Sequence, residues 1–164
     1  MCIRDSYGSA LLESCIDDAR RQGKSGVCML GAEKQKAWLS DQRFARRFGF
    51  ETVDTTPDGY ELLALSLDGT KPHFAPSVTQ RIDEKGLVVY YDMQCPFIPA
   101  RVAVLQKNCA EQGIPARFVE VDSLAAAKSL PCVFNNWAVF YGGVFQTVNQ
   151  LDLAALERIL KRKK

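Results

Sequence analysis

The sequence contains little that suits a membrane, a secretory pathway or a nucleic acid. No apolar stretch among its 164 residues approaches the roughly 20 residues that cross a bilayer. A signal-peptide pattern of charged start, apolar middle and small-residue cleavage site is also missing. The net charge is only +2, whereas nucleic-acid-binding domains concentrate basic residues on one face. We therefore expect a cytoplasmic protein with no nucleic-acid or membrane partner.

Cysteine is present, yet it forms neither a disulfide framework nor a zinc pattern. None of the six cysteines belongs to a Cys-x-x-Cys pair, which is the usual sign of a zinc or dithiol site. Cys15, Cys28 and Cys109 lie in apolar patterns and are expected to be small core residues with little access to reagents. That leaves Cys95 and Cys132 as the thiols that invite chemistry.

The overall composition is that of an ordinary globular protein. Hydrophobic residues make up 47% and charged residues 24% of the chain, which is typical of folded domains. Helical periodicity alternates with short apolar runs, which predicts the α/β (α+β) fold class. In the first part of the chain the patterns predict a helix over 8–22, a strand over 27–30, a helix over 41–48 and strands over 50–53 and 60–67.

The best candidate for a linker covers residues 68–85. Gly69, Pro72 and Pro76 interrupt this stretch, and its scattered charges show no sustained period. The single histidine, His73, lies here without a second metal-type side chain at a useful spacing. A solvated loop residue is therefore favoured over a metal ligand, and no metal site is expected.

The part of the chain after the linker has a regular alternation of elements. An apolar run at 87–91 is followed by helical spacing of apolar residues from Arg101, and Gly142-Gly143 suits the turn of a hairpin. The predicted order is βαβαββα. The elements are strands over 87–91 and 116–121, helices over 101–112 and 124–130, hairpin strands over 137–141 and 144–148, and a last helix over 152–161.

The first six residues look foreign to the rest. Met1–Ser6 resembles the translation of a transposon mosaic-end adapter used in building sequencing libraries. A natural, unstructured start of ordinary polar composition is the alternative. If the segment is adapter-derived, it does not belong to the fold, Tyr7 is the first native residue, and the parent protein extends upstream.

Residues 7–67 resemble the C-terminal half of the GNAT family of N-acetyltransferases. The likeness rests on Tyr-Gly-Ser-Ala at 7–10 ahead of a helix and on Phe-Ala-Arg-Arg-Phe-Gly-Phe at 44–50. In that family a glycine turn opens a helix whose free N–H groups hold the pyrophosphate of acetyl-CoA. The resemblance therefore implies acetyl-CoA as co-substrate and Gly8, Ser9 and Ala10 as its binding residues. A simple helix cap at Gly8 is the alternative.

Two departures from that family bear on catalysis. Members often carry a tyrosine acid where this chain has Ala45, so no general acid is assigned. Arg46 and Arg47 either reach a cofactor phosphate or form a solvated helix face. The strand that contacts the acetyl group and most of the acceptor pocket would lie upstream. We therefore expect the parent protein to acetylate a small-molecule or peptide amine and this chain to be inactive.

A second resemblance is to the thioredoxin fold, through Cys-Pro-Phe-Ile at 95–98 between a strand and a helix. The glutaredoxin turn has a second cysteine where this chain has Ile98, which excludes a dithiol cycle at the turn. A thiolate at a helix start is stabilised and nucleophilic, so Cys95 is the candidate catalytic thiol. The resemblance places a cis-proline at Pro131, beside Cys132, or shifts the equivalent position to Val133.

The whole arrangement resembles bacterial GNAT proteins that carry a YoaP-like C-terminal domain. On this resemblance residues 1–6 are adapter-derived, 7–67 are a partial GNAT domain, 68–85 are a linker and 86–164 are a YoaP-like, thioredoxin-like domain. The leading interpretation is a fragment of an N-acetyltransferase. The alternatives are a monothiol redox or thiol-binding module and an interaction module that uses neither site.

Overall fold

The computed structural model describes residues 3–36 and 38–161, with the backbone alone for residues 3–6. These residues form two sheets and five helices, so the predicted α+β class is confirmed. The chain divides into two compact units, Met1–Phe74 and Ala75–Lys164. The division therefore falls inside the stretch predicted as a linker. No helix of the described chain is both long enough and apolar enough to span a membrane.

The first unit is a three-stranded antiparallel sheet with one long and one short helix. The central strand pairs with both neighbours, in the order β1-β3-β2. Apolar side chains of the helices meet one face of the sheet in a core of Ile16, Ala45, Phe50 and Leu63. The elements are α1 (Ile3–Arg21), β1 (Gly26–Ala32), α2 (Gln42–Arg46), β2 (Glu51–Thr55) and β3 (Tyr60–Ser66).

The start of α1 differs from the prediction. The helix was expected to begin at Gly8, yet it begins at Ile3 and continues to Arg21. Gly8 is tolerated inside the helix because a single glycine lowers helix propensity by only about 1 kcal/mol. The predicted start is therefore wrong for this chain. Residues 3–6 of the adapter-like segment share one helix with those after them.

The second unit contains a four-stranded mixed sheet in the order β5-β4-β6-β7. Only β4 and β5 are parallel, while β4–β6 and β6–β7 are antiparallel. The predicted order βαβαββα is confirmed. The elements are β4 (Leu87–Tyr91), α3 (Ile98–Glu111), β5 (Ala116–Glu120), α4 (Leu124–Lys128), β6 (Trp137–Tyr141), β7 (Val144–Thr147) and α5 (Leu153–Lys161).

Both faces of the second sheet bury apolar side chains. One face packs with α3 and α5 around residues such as Val89, Leu105 and Leu156. The other carries an aromatic cluster in which the Phe140 and Phe145 ring centroids lie 5.6 Å apart. Alternation along β4 and β6 sends successive side chains to opposite faces. Because β4 and β6 are apolar at nearly every position, each of these strands is buried on both of its faces.

Part of the predicted linker is hydrogen-bonded within the second unit. The Gln80 N–H donates to the Pro131 carbonyl at 2.8 Å, and the Ile82 N–H donates to the Gly143 carbonyl at 3.0 Å. Arg81 forms an isolated antiparallel bridge with Val144. Residues 80–85 therefore extend the edge of the sheet beside β7 instead of forming a free connection.

We expect limited proteolysis to distinguish these two kinds of segment. A protease of broad specificity, such as proteinase K, is expected to cut within residues 67–77 before it cuts within 80–85, because hydrogen-bonded backbone is a poor substrate. N-terminal sequencing of the larger product locates the cut. Survival of the first unit with loss of the second would contradict independent folding of residues 75–164.

Candidate functional site

Gly8, Ser9 and Ala10 lie inside α1 in this chain. In an α-helix every N–H beyond the first turn donates to the carbonyl four residues earlier. Since α1 begins at Ile3, the N–H groups of these three residues are engaged and do not form a free helix terminus. A Cβ built on Gly8 would lie 3.6 Å from the Phe44 ring, so the glycine marks the approach of α1 to α2.

The residue at the tyrosine position of the GNAT motif has no proton to give. Ala45 is fully buried in the first core. Its neighbour Arg46 donates to Thr52 Oγ1 at 2.8 Å and to Gln42 Oε1 at 3.1 Å, and it lies 3.6 Å from a Glu61 oxygen. Arg46 is thus held against the sheet, which leaves it poorly placed to reach a cofactor phosphate.

Arg47 lies elsewhere on the short helix. Its guanidinium carbon is 5.6 Å from the centre of the Phe44 ring, which is within the usual range of a cation–π contact. The side chain is exposed. A solvated helix face accounts for this arrangement without any cofactor.

A polar cavity of about 610 Å³ opens where β1 ends and β2 turns into β3. The turn is shaped by Thr56, whose hydroxyl donates to Asp58 at 2.6 Å and accepts from the Tyr60 N–H at 2.9 Å. Burial and the Asp58 charge raise the pKa of Tyr60. Charged residues of both signs line the cavity, a feature that the sequence pattern of this turn alone did not reveal; they are Glu33, Lys34, Lys36, Asp58 and Glu61.

Cys95 lies in the turn between β4 and α3, and the residue is half-buried. Its carbonyl accepts the Ile98 N–H at 3.0 Å. The helix therefore begins at Ile98, three residues earlier than the predicted start at Arg101. Pro99 explains the difference, since proline is well suited to the first turn of a helix.

The prediction of a cis-proline beside Cys95 is wrong. The peptide bond before Pro131 is trans, as are all peptide bonds of the described residues, so Val133 offers no cis alternative either. The trans form is the ordinary state of such bonds, and the Pro131 carbonyl accepts from Gln80. Cys132 is buried with its sulfur 3.4 Å from the Phe134 carbonyl.

Burial of the remaining thiols was predicted correctly in one case out of three. Cys109 is buried, and that burial raises the pKa of its thiol. Cys15 and Cys28 are exposed, which contradicts the prediction. On α1 it is Ile16 that enters the core, and on β1 the alternation of side chains sends Cys28 to the face opposite the core. Partial desolvation still raises the pKa of the Cys28 thiol.

We expect a limiting amount of iodoacetamide near neutral pH to label Cys95 before Cys28 and Cys109. A raised thiol pKa lowers the fraction of reactive thiolate, and that applies to Cys28 and Cys109. Peptide mapping by mass spectrometry reads each cysteine separately. A Cys95→Ser chain is the control for peptide assignment. Labelling of Cys28 or Cys109 ahead of Cys95 in the folded chain would contradict the prediction that Cys95 is the more reactive thiol.

Comparison with known proteins gives two similarities. Residues 115–158 match the model of a family described as YoaP-like. The chain is also 28% identical over 159 residues to the uncharacterized N-acetyltransferase YoaP of Bacillus subtilis (strain 168). That alignment covers 95% of this chain and 63% of the relative. The chain therefore spans slightly less than two-thirds of the relative's length. No solved structure matches the chain.

Proposed function

We propose that this chain is part of an acetyl-CoA-dependent N-acetyltransferase of the GNAT type. The observation that carries the proposal is the similarity to a protein named as an N-acetyltransferase, which extends over 95% of the chain. The antiparallel order β1-β3-β2 behind α1 is compatible with the C-terminal half of such a domain. Acetyl-CoA supplies the acetyl group, and an amine accepts it.

Residues 8–10 of the present chain cannot bind the pyrophosphate of acetyl-CoA, because the N–H groups of Gly8, Ser9 and Ala10 are engaged within α1. We therefore assign acetyl-CoA binding to the longer parent protein, in which native residues precede Tyr7. There a glycine turn ahead of Gly8 would end the helix and free these N–H groups for a pyrophosphate.

The acceptor is proposed to be an amine that enters as its ammonium form along the cavity between β1 and the β2–β3 turn and loses a proton to solvent before its nitrogen attacks the acetyl thioester. Glu61 is already near Arg46, and Asp58 accepts a hydrogen bond from Thr56. Glu33, Asp58 and Glu61 line this cavity together with Lys34 and Lys36. The three carboxyl groups outnumber the two ammonium groups, which favours a cation over an anion. The proposal therefore specifies the class of acceptor, a cationic amine, and no particular compound.

Calorimetric titration of the parent protein with acetyl-CoA tests the cofactor assignment. Gly8→Asp is expected to weaken binding at least tenfold, because its carboxylate would face the phosphates at the helix start. Ser14→Asp provides the matched control, because it adds the same charge at an exposed position of α1 away from the helix start. Equal loss in both variants, or no binding by the parent, would contradict the assignment.

A second candidate function is a thiol-dependent module formed by the second unit. The sheet order β5-β4-β6-β7 with one parallel pair is compatible with a thioredoxin-like fold, and Cys95 follows its first strand. The specific observation in favour is that an amide N–H of Gln150 reaches the Cys95 sulfur at 3.8 Å. Labelling of Cys95, described above, tests this function independently of acetyl transfer.

A further inference from the structure

The side chain of Gln150 contacts the thiol of Cys95 across the second unit. Gln150 lies in the loop between β7 and α5, whereas Cys95 lies in the turn after β4. Its amide Nε2 is a hydrogen-bond donor 3.8 Å from the sulfur, a distance suited to the large sulfur atom. The fold therefore brings an N–H donor to a cysteine 55 residues away.

Asp92 forms hydrogen bonds at the start of the turn that carries Cys95. Asp92 is only 4% exposed, and its Oδ1 accepts the Gln94 N–H at 3.0 Å. The Asp92 N–H donates to the Asn136 carbonyl at 3.2 Å. Its second oxygen, Oδ2, is buried and has no hydrogen-bond partner among the described atoms. Asp92, three residues before Cys95 in the chain, is therefore a buried carboxyl group with one oxygen that has no partner among the described atoms.

The same turn presents apolar surface to a partner. Met93 and Phe97 stand two residues before and two residues after Cys95, and both are exposed, by 50% and 73%. Large exposed apolar side chains beside a reactive group suit contact with another polypeptide more than with a small polar molecule.

We propose that Gln150 is a positioning residue that holds the Cys95 sulfur and stabilises its thiolate for attack on a disulfide of a partner polypeptide, which forms a mixed disulfide and releases the partner's other sulfur as a thiolate. The inference rests on the thiol-dependent function proposed above and not on acetyl transfer. Hydrogen bonds to charged groups are stronger than those between neutral groups. An amide donor at the sulfur therefore favours the thiolate over the thiol.

Several charged side chains lie on the elements around this turn. Asp92 is at the end of β4, and Arg101 is in the first half of α3. Asp152 and Arg158 line a cavity of about 370 Å³ together with Gln150, and Asp152 Oδ1 accepts the Ala155 N–H at 2.7 Å. Their charges are the same in every variant below, so differences among the variants report on position 150.

The test is the pH profile of Cys95 alkylation in the full 164-residue chain, read by peptide mapping. Gln150→Leu removes the donor and is expected to lower the rate near neutral pH about threefold, as for loss of one hydrogen bond. Gln150→Glu brings a negative charge to the sulfur and is expected to lower it about fivefold, the effect of a unit charge at about 4 Å in water. At high pH all chains should react equally fast.

Asn149→Ala is the matched control, because it removes an exposed amide one residue away. It is expected to react like the unchanged chain at every pH. Profiles of the two Gln150 variants that coincide with the unchanged profile would overturn the proposal, as would an equal slowing by Asn149→Ala. Rates that stay low at high pH would indicate altered access and also overturn it. An unreactive Cys95 in the unchanged chain would remove the thiol function itself.

Discussion

Replacing Phe140 with alanine is expected to unfold the second unit at a much lower urea concentration. Phe140 is fully buried in β6, and its ring centroid lies 5.8 Å from that of Tyr90 and 5.6 Å from that of Phe145. Truncation of a buried phenylalanine costs about 3–5 kcal/mol, out of the roughly 5–15 kcal/mol that keeps a domain folded. Fluorescence of the buried Trp137, in a Trp38→Phe background, follows the transition.

Phe97→Ala provides the control for this experiment, because it makes the same change at a side chain that is largely exposed. Substitutions at such positions usually change the free energy of unfolding by no more than about 0.5 kcal/mol. An equal shift of the urea midpoint in both variants would show that Phe140 does not carry the packing energy of the aromatic face.

The 164-residue chain is expected to produce no acetylated amine from acetyl-CoA. The N–H groups of Gly8, Ser9 and Ala10 are engaged within α1, and Ala45 offers no acid at the position where related enzymes often have one. Loss of a positioned acid alone lowers rates by roughly a hundredfold or more. Chromatography and mass spectrometry of the reaction mixture measure the acetylated product.

Acetyl-CoA also acetylates amines slowly without an enzyme, so mixtures with heat-denatured chain set the background. Product formation by the folded chain above that background would show that residues 7–67 hold a working site. The assignment of cofactor binding to the longer parent would then be wrong.

Sequence patterns predicted the second unit well because its signals are local. The apolar run at 87–91, the helical spacing after it and the Gly142-Gly143 turn each fix one element, and the order βαβαββα follows from them. The helix after Cys95 was predicted three residues too late, since the first turn of a helix is set by backbone geometry that Pro99 permits.

Properties that depend on distant residues were predicted less well. Exposure of Cys15 and Cys28 follows from which face of α1 and β1 meets the core, and neither pattern was strong enough to show it. The contact between Gln150 and Cys95 joins two loops that only the folded sheet brings together. The trans bond before Pro131 contradicts an expectation that came from a resemblance and not from this sequence.

The start of α1 illustrates a third limit. Gly8 suited a helix start on the GNAT resemblance, yet the residues ahead of it are compatible with a helix and continue it to Ile3. Helix propensity is a weak signal, and the sequence offered several possible capping residues, among them Asp5, Ser6 and Ser9, so it did not settle the start. The site assigned to Gly8, Ser9 and Ala10 therefore remains a prediction about the parent protein.

Acetyl transfer by the proposed longer parent protein is the most direct measurement of the proposed function. A panel of small amines and lysine- or N-terminal-amine peptides is incubated with acetyl-CoA, and free CoA and acetylated amine are quantified together. We predict that at least one amine is acetylated and that the two products form in equal amounts. Binding of acetyl-CoA without acetylation of any amine, or release of CoA by hydrolysis alone, would contradict an N-acetyltransferase.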